Sequence, residues 1–425
     1  YFVRFQKEGF HANMNNYKDA KTYDQIYDDF YGFLYDDLFY QEGYYLQMCH
    51  IVLKYINHVY NNHLCIGIKH GGHMNQLLKL FHIYMIFIED KRQTFKTSSF
   101  SNYKKRDITK KLVLSMYYGK IEESFFWTCE MLCSNMIVEI WNCFFLLMSK
   151  YIHVYNPKLP IYIFKKFNDF KQLSMQHNHD LELRNSQELR MLFCSLALIL
   201  CDSQKYTVLD DLKYKFDFKI ENIYENLKAP ELKYIDFVYK THDPKEYIIP
   251  FNELIYHLLV TKQKTDIYFW INWIIQYDIL CRKKKKYILC CQRSTYMNKN
   301  EKLSKNIVWI IWDILLKLGK DKKDTNVHEV TQSLFELFTI RYALTCNKSR
   351  IHMIYHCVEL ILLNKKIDWN VELLRNKEVL QNLETNINVI FEQIKTHQVK
   401  DDETQKSKKE TKMDLYKNVY NNLLP

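Results

Sequence analysis

Two stretches of similar pattern decide the fold of this chain. Residues 119–127 read GKIEESFFW, and residues 262–270 read KQKTDIYFW. Each follows an apolar segment and ends in two aromatic residues and a tryptophan, 143 positions apart. Later segments correspond too: residues 137–148 contain Trp141 where residues 307–318 contain Trp309 and Trp312. This self-similarity predicts a duplicated helical unit.

Composition also favours helices. The chain has 33 Tyr and 26 Phe but only 8 Gly and 6 Pro, so few residues can form the tight turns of an all-β protein. A buried aromatic side chain removes about 150–250 Å² from water and can anchor one helix on another. We therefore predict a mainly α fold of tandem multi-helix modules, bundle-like or solenoid-like, with a small N-terminal region of α/β character.

Changes in composition suggest the domain boundaries. We place a Tyr- and Asp-rich N-terminal region at residues 1–90 and a basic linker at residues 91–111. Helical module 1 then covers residues 112–229 and module 2 covers residues 230–363. Residues 364–425 are predicted to form a C-terminal helix and a charged tail. Because the chain begins at Tyr1, its true N-terminus is expected to lie upstream.

Residues 63–90 offer the one candidate for a cofactor site. An apolar run, a glycine turn and a further apolar run ending in acids resemble the first two motifs of a Rossmann-type methyltransferase. The residues that would serve are Gly67, Gly71, Gly72 and Glu89. However, Lys69, His70 and His73 lie in the loop, and no room is left for the remaining strands. We interpret the segment as a degenerate remnant or a chance match, and predict no cofactor.

The 12 cysteines are mostly dispersed in apolar runs, as expected of buried thiols in a reducing compartment. Cys281, Cys290 and Cys291 flank a basic run and are weak zinc candidates. Zinc sites usually pair cysteines two to four residues apart, and this spacing differs. We predict no metal.

Positive charge is concentrated in two segments, 91–111 and 282–305, which contain eight and nine basic residues with one acid each. Three interpretations stay open: solvated loops, contacts with nucleic-acid phosphates, or contacts with an acidic protein. Tyr103, Tyr287 and Tyr296 could stack on bases. The candidate contact residues are Lys104, Lys105, Arg106, Arg282, Lys283, Lys284, Lys285, Lys286 and Arg293.

The sequence contains no complete catalytic motif of the nucleotide-binding, metalloprotease, kinase or serine-hydrolase kind. It also lacks a run of about 18 uncharged apolar residues. The best stretch, residues 131–149, is interrupted by Glu139 and Asn142. We therefore predict a protein that is not an enzyme, is not secreted and does not insert into a membrane.

Several segments resemble an uncharacterised protein family of nucleocytoplasmic large DNA viruses (giant viruses). They are residues 27–31 with 35–36, 119–127, 151–153 with 156–160, 243–246 and 309–313. The resemblance implies a viral origin and a location in the host cytoplasm, a viral factory or the virion. Residues 121–127 are also similar to helical C-terminal domains of clamp-loader-like AAA+ ATPases, although the ATPase module itself is absent.

Together these features predict a non-catalytic helical scaffold or adaptor of a large DNA virus, acting through contacts with viral or host proteins. One alternative is a nucleic-acid-binding accessory factor that uses the two basic segments. The other is a degenerate methyltransferase-like N-terminal region. The sequence leaves the identity of the partners and the oligomeric state open.

Overall fold

The structure is a computed structural model of the chain. It describes the backbone of residues 2–6 and 9–13, and residues 87–398 apart from 89, 91, 93–94, 178, 206–213, 217, 219–222, 364–366, 376 and 378–382. The chain divides into two compact units, Tyr1–Met85 and Ile86–Pro425.

In the first unit the described residues form an antiparallel hairpin. Strand β1, Phe2–Gln6, pairs with β2, Gly9–Asn13, in a register that places Phe5 opposite Phe10. The glycine-rich turn, including Gly67, lies outside the described residues, as does the acid Glu89.

The described part of the second unit is mostly helical, which confirms the mainly α fold. Its first half contains α1 (Lys105–Tyr117), α2 (Ile121–Cys133), α3 (Ile137–Leu146), α4 (Leu159–Met175), α5 (Asp180–Asn185) and α6 (Gln187–Asp202). A π-helix, Leu147–Ile152, and a 3₁₀ turn, His153–Tyr155, extend α3.

The second half opens with two 3₁₀ turns, Lys233–Ile235 and Lys245–Tyr247. Then follow α7 (Ile248–Tyr256), a π-helix (His257–Thr261), α8 (Lys264–Lys283), α9 (Glu301–Ser304), α10 (Val308–Lys320), α11 (Thr325–Thr339), α12 (Cys346–Ser349), α13 (Ile351–Leu362) and α14 (Leu383–Lys395).

The two quoted stretches have the same local structure. Gly119 and Lys262 both adopt left-handed backbone conformations, with φ of 69° and 56°, between an apolar segment and the aromatic helix that follows. Nine residues into each stretch the tryptophan is buried: Trp127 is 8% exposed and Trp270 is 1% exposed. The aromatic anchors thus lie in the core, as the pattern predicts.

A ring contact also recurs. Trp141 of α3 meets Phe193 of α6 at 5.3 Å between centroids and 64° between planes. Trp312 of α10 meets Phe335 of α11 at 5.4 Å and 67°. The halves differ in one respect. In the first half α6 packs on α2, whereas in the second half side chains of α8 form hydrogen bonds with α13. The duplication stays an interpretation.

The two halves pack directly against each other. Helix α4 of the first lies along α11 of the second, and the π-helix Leu147–Ile152 contacts α13. These contacts bury one continuous hydrophobic core.

Within the described residues, one helix has the length and composition to span a membrane. It covers Ile137–Tyr155, with mean hydropathy 1.2, and 56% of it is buried inside the protein. Burial of this kind is also found in core helices of globular domains.

Candidate functional site

Four consecutive lysines form an exposed turn at the end of α8. The peptide N–H of Lys284 donates to the carbonyl of Leu280 at 3.2 Å, and that of Lys286 donates to Cys281 at 2.9 Å. Between them Lys285 adopts a left-handed conformation, with φ of 60°. This geometry closes a helix end, where glycine is the usual residue. We call residues 283–286 the lysine turn.

The neighbours of the lysine turn neutralise only part of its charge. Arg282 is bound to Asp278 at 2.9 Å, so it belongs to the helix rather than to the turn. Lys286 approaches Glu246 at 3.4 Å. Among the described residues no acid pairs with Lys284 or Lys285. Positive charge is favourable at a helix C-terminus, so part of this arrangement also stabilises α8.

A second basic surface covers the exposed side of α1. Lys104 and Arg106 are exposed there, together with Lys110 and Lys111, whereas Lys105 is bound to Glu139 at 2.6 Å. Aromatic residues border the cations at both ends of the helix, since Tyr103 is 38% exposed and Tyr118 is 68% exposed. We define the α1 surface as Tyr103, Lys104, Arg106, Lys110, Lys111 and Tyr118.

Arg293 departs from the expectation that it is a contact residue. Its side chain is 1% exposed and forms a buried ion pair with Asp243. It also donates to the carbonyl of Val238 at 2.8 Å and lies 3.5 Å from Asp313. Because a buried guanidinium needs such partners, Arg293 acts as an internal tie and is not available to a surface partner.

The three candidate zinc ligands differ in how deeply they are buried. Cys281 and Cys290 are buried, and the Cys290 thiol donates to the carbonyl of Asn306 at 3.3 Å. Burial raises the pKa of Cys290 to about 12, which favours the protonated thiol over the thiolate that binds zinc. Cys291 is partly exposed. Among the described residues no group of three His, Cys, Asp or Glu side chains is arranged to hold a metal ion.

A buried histidine pair joins the two halves, and no local sequence pattern indicates it. His153 and His356 are fully buried and stack at 4.5 Å, with 22° between their rings. Burial lowers the pKa of His356 to about 3. The pKa of His153 is also well below its ordinary value, because of burial and of the nearby His356, His352 and Lys264. Both rings are therefore neutral at pH 7.

A second polar cluster supports the start of α8. The imidazole of His257 lies 2.8 Å from the hydroxyl of Thr261 and 3.5 Å from the carboxylate of Glu253. Glu253 accepts the peptide N–H groups of Lys228 and Ala229, each at 3.0 Å. The Thr261 hydroxyl in turn accepts the N–H of Gln263 at 3.3 Å. Glu253 and Thr261 thus fix backbone groups, and His257 contacts both of them, which indicates a structural role.

A surface groove of about 500 Å³ lies between α4 and α11. Its lining is mixed, with Ile161 and Phe164 on one side and His328 and Glu329 on the other.

No protein-family model, curated protein or solved structure matches the chain. The surface chemistry of the chain itself therefore has to support any functional proposal.

Proposed function

We propose that the protein is a non-catalytic helical scaffold or adaptor of a large DNA virus, and that the lysine turn is one of its docking elements. The observation that supports this is the left-handed Lys285. A side chain in this conformation costs about 1–2 kcal/mol that glycine avoids. Lysine at this position places an exposed cation at the tip of the turn, where a contact with a partner can use its charge.

The proposed occupant of the lysine turn is an acidic surface of a viral or host protein in the cytoplasm, the viral factory or the virion. Lys284 and Lys285 offer charge that no acid of the described residues neutralises, which is suited to steering an acidic partner. The helical unit that carries the turn has an aromatic core, on which α8 is anchored by buried side chains such as Trp270.

Cross-linking and affinity capture from infected cells would test this. We expect an acidic partner to be captured by the wild-type chain and lost when Lys284 and Lys285 are changed to Glu. The matched control changes Lys320 and Lys323 to Glu, since both are exposed near the end of another helix, α10. If capture is the same for both pairs, the lysine turn is not the docking element.

A second candidate function is favoured by the α1 surface. Its exposed cations lie between exposed aromatic rings, a combination found in proteins that bind nucleic acids. Filter binding at several salt concentrations would test it. We expect affinity to fall as salt rises, because each neutralised phosphate releases counterions. Affinity that is insensitive to salt would remove this candidate.

A further inference from the structure

We propose that the α1 surface binds single-stranded nucleic acid, with bases stacked on Tyr103 and Tyr118 and the phosphates over Arg106 and Lys110. This inference rests on the second candidate function above and specifies the class of nucleic acid. It depends on three features of the surface: its rings, its length and its unpaired cations.

The two tyrosines are held in place by other aromatic side chains. Tyr103 meets Trp127 at 5.3 Å and 76°, and Tyr118 meets Tyr117 at 5.1 Å and 87°. Tyr117 is held in turn by Tyr151, at 5.1 Å and 73°. These are edge-to-face contacts, which orient a ring without covering it on both faces. The Lys111 ammonium lies 5.8 Å from the centroid of the Tyr103 ring, so a base would stack on the area that it leaves open. The exposed fractions, 38% and 68%, leave ring area to receive a base.

The spacing of the rings matches a short strand. Fifteen residues separate Tyr103 from Tyr118, and helix α1 fills most of that interval. At about 1.5 Å per residue the backbones of the two tyrosines lie roughly 20 Å apart along the helix axis. A stacked strand rises about 3.4 Å per nucleotide, so about six nucleotides connect the two rings. Known single-strand sites cover about 4–16 nucleotides.

The cations between the rings are free to bind phosphate. Arg106 and Lys110 are exposed, lie one helical turn apart and have no acid partner among the described residues. Lys111 differs, since its ammonium lies 4.6 Å from the ring centroid of Trp127. Asp107 is the acid exposed on this part of the helix. Asp107 offsets part of the positive charge, so stacking must provide part of the affinity.

Preference for a single strand follows from this balance. In a duplex the base faces are covered by neighbouring base pairs, so Tyr103 and Tyr118 gain no stacking contact. Only the phosphates then remain to be bound. Stacking of one base on an aromatic side chain contributes about 1–3 kcal/mol in single-strand complexes.

Fluorescence anisotropy with the full chain tests the inference. The probes are a labelled DNA strand of ~12 nucleotides, longer than the six that connect the two rings, and a hairpin duplex of the same sequence. We expect Tyr118→Leu to weaken single-strand binding about tenfold and to leave duplex binding unchanged. Tyr224→Leu is the control, because Tyr224 is equally exposed, at 66%, and lies outside the α1 surface.

Changing Arg106 and Lys110 to Gln provides the second measurement. We expect weaker binding of both probes and a smaller dependence of affinity on salt. If the wild-type chain binds both probes equally and Tyr118→Leu changes neither, the stacking inference is wrong while nucleic-acid binding stands. If neither probe binds, both proposals are wrong. Displacement of the strand by polyglutamate at a lower concentration than by unlabelled DNA would assign the surface to acidic proteins instead.

Discussion

At the scale of single residues, the buried histidine pair predicts how stability depends on pH. His356 has a pKa of about 3 in the folded chain because of burial, against about 6.5 when unfolded. Below pH 6.5 the unfolded chain therefore binds a proton that the folded chain does not, and stability falls as the pH drops toward 3. We expect His356→Leu to reduce the loss in free energy of unfolding between pH 7 and pH 5 by about 2 kcal/mol.

Urea unfolding at the two pH values measures this effect. His242→Leu is the control, because His242 is exposed and its removal leaves the buried pair intact. The explanation would be wrong if both variants kept the full pH dependence of the wild type. His153 remains in His356→Leu, so some dependence in the same direction is expected to persist.

Lys285 supports a second prediction about a single residue. Glycine at this left-handed position removes backbone strain, so Lys285→Gly should raise the free energy of unfolding by up to about 1 kcal/mol. Lys285→Ala removes the same charge but keeps the strain, and we expect no gain from it. Thermal unfolding of the two variants separates strain from charge. Equal stability of both variants would show that the conformation is not strained.

Individual residues also show where sequence reasoning reaches its limit. A basic segment predicts exposed charge, and for Lys104 and Lys284 the side chains are exposed. The same reasoning predicts Arg293 at the surface, whereas its side chain is buried against Asp243, which lies 50 positions earlier. His153 and His356 are separated by 203 positions. No local pattern encodes contacts over such separations, because tertiary packing creates them.

At the scale of elements, Arg293 ties two segments together. It bonds to Asp243 and Val238 in one connection and approaches Asp313 on α10. Asp243 additionally accepts the N–H groups of Lys240 at 2.7 Å and Cys291 at 2.8 Å. Removing one partner of a buried ion pair leaves the other charge uncompensated. We expect Arg293→Met to lower the free energy of unfolding by about 3 kcal/mol or more.

Chemical denaturation of Arg293→Met beside Lys283→Met tests this tie. Lys283 is exposed, so its change should stay within about 0.5 kcal/mol. Adding Asp243→Asn to Arg293→Met should restore part of the loss, because it removes the unpaired charge. Equal effects of Arg293→Met and Lys283→Met would contradict the buried pair and return Arg293 to the surface.

The helices themselves follow from local sequence. Few glycines and prolines, apolar runs and tryptophans at corresponding positions predicted a mainly α protein, and Trp127 and Trp270 are buried. The sequence does not predict which helices contact each other. The link between α8 and α13 depends on Tyr268 and Lys264 reaching Glu359, more than 90 positions away. Periodicity defines which face of a helix is buried but does not identify its neighbour.

At the scale of the whole molecule, the packing between halves predicts how the chain unfolds. The predicted modules, residues 112–229 and 230–363, both fall within one compact unit, Ile86–Pro425. Helix α4 packs on α11, and the stacked histidines link the first half to α13. Because the halves share a core, we expect one cooperative transition, with far-ultraviolet circular dichroism and tryptophan fluorescence giving the same midpoint.

Two variants of buried core residues test that prediction. Leu132 in α2 and Leu315 in α10 are each 1% exposed, and truncating either to Ala should cost about 2–5 kcal/mol. In a shared core each substitution moves the single transition of the whole unit to lower denaturant. In independent modules two transitions would separate, with Leu132→Ala moving only one of them and Leu315→Ala only the other. Cooperative unfolding would mean that a contact made by either basic surface stabilises the entire helical unit, as a rigid adaptor requires.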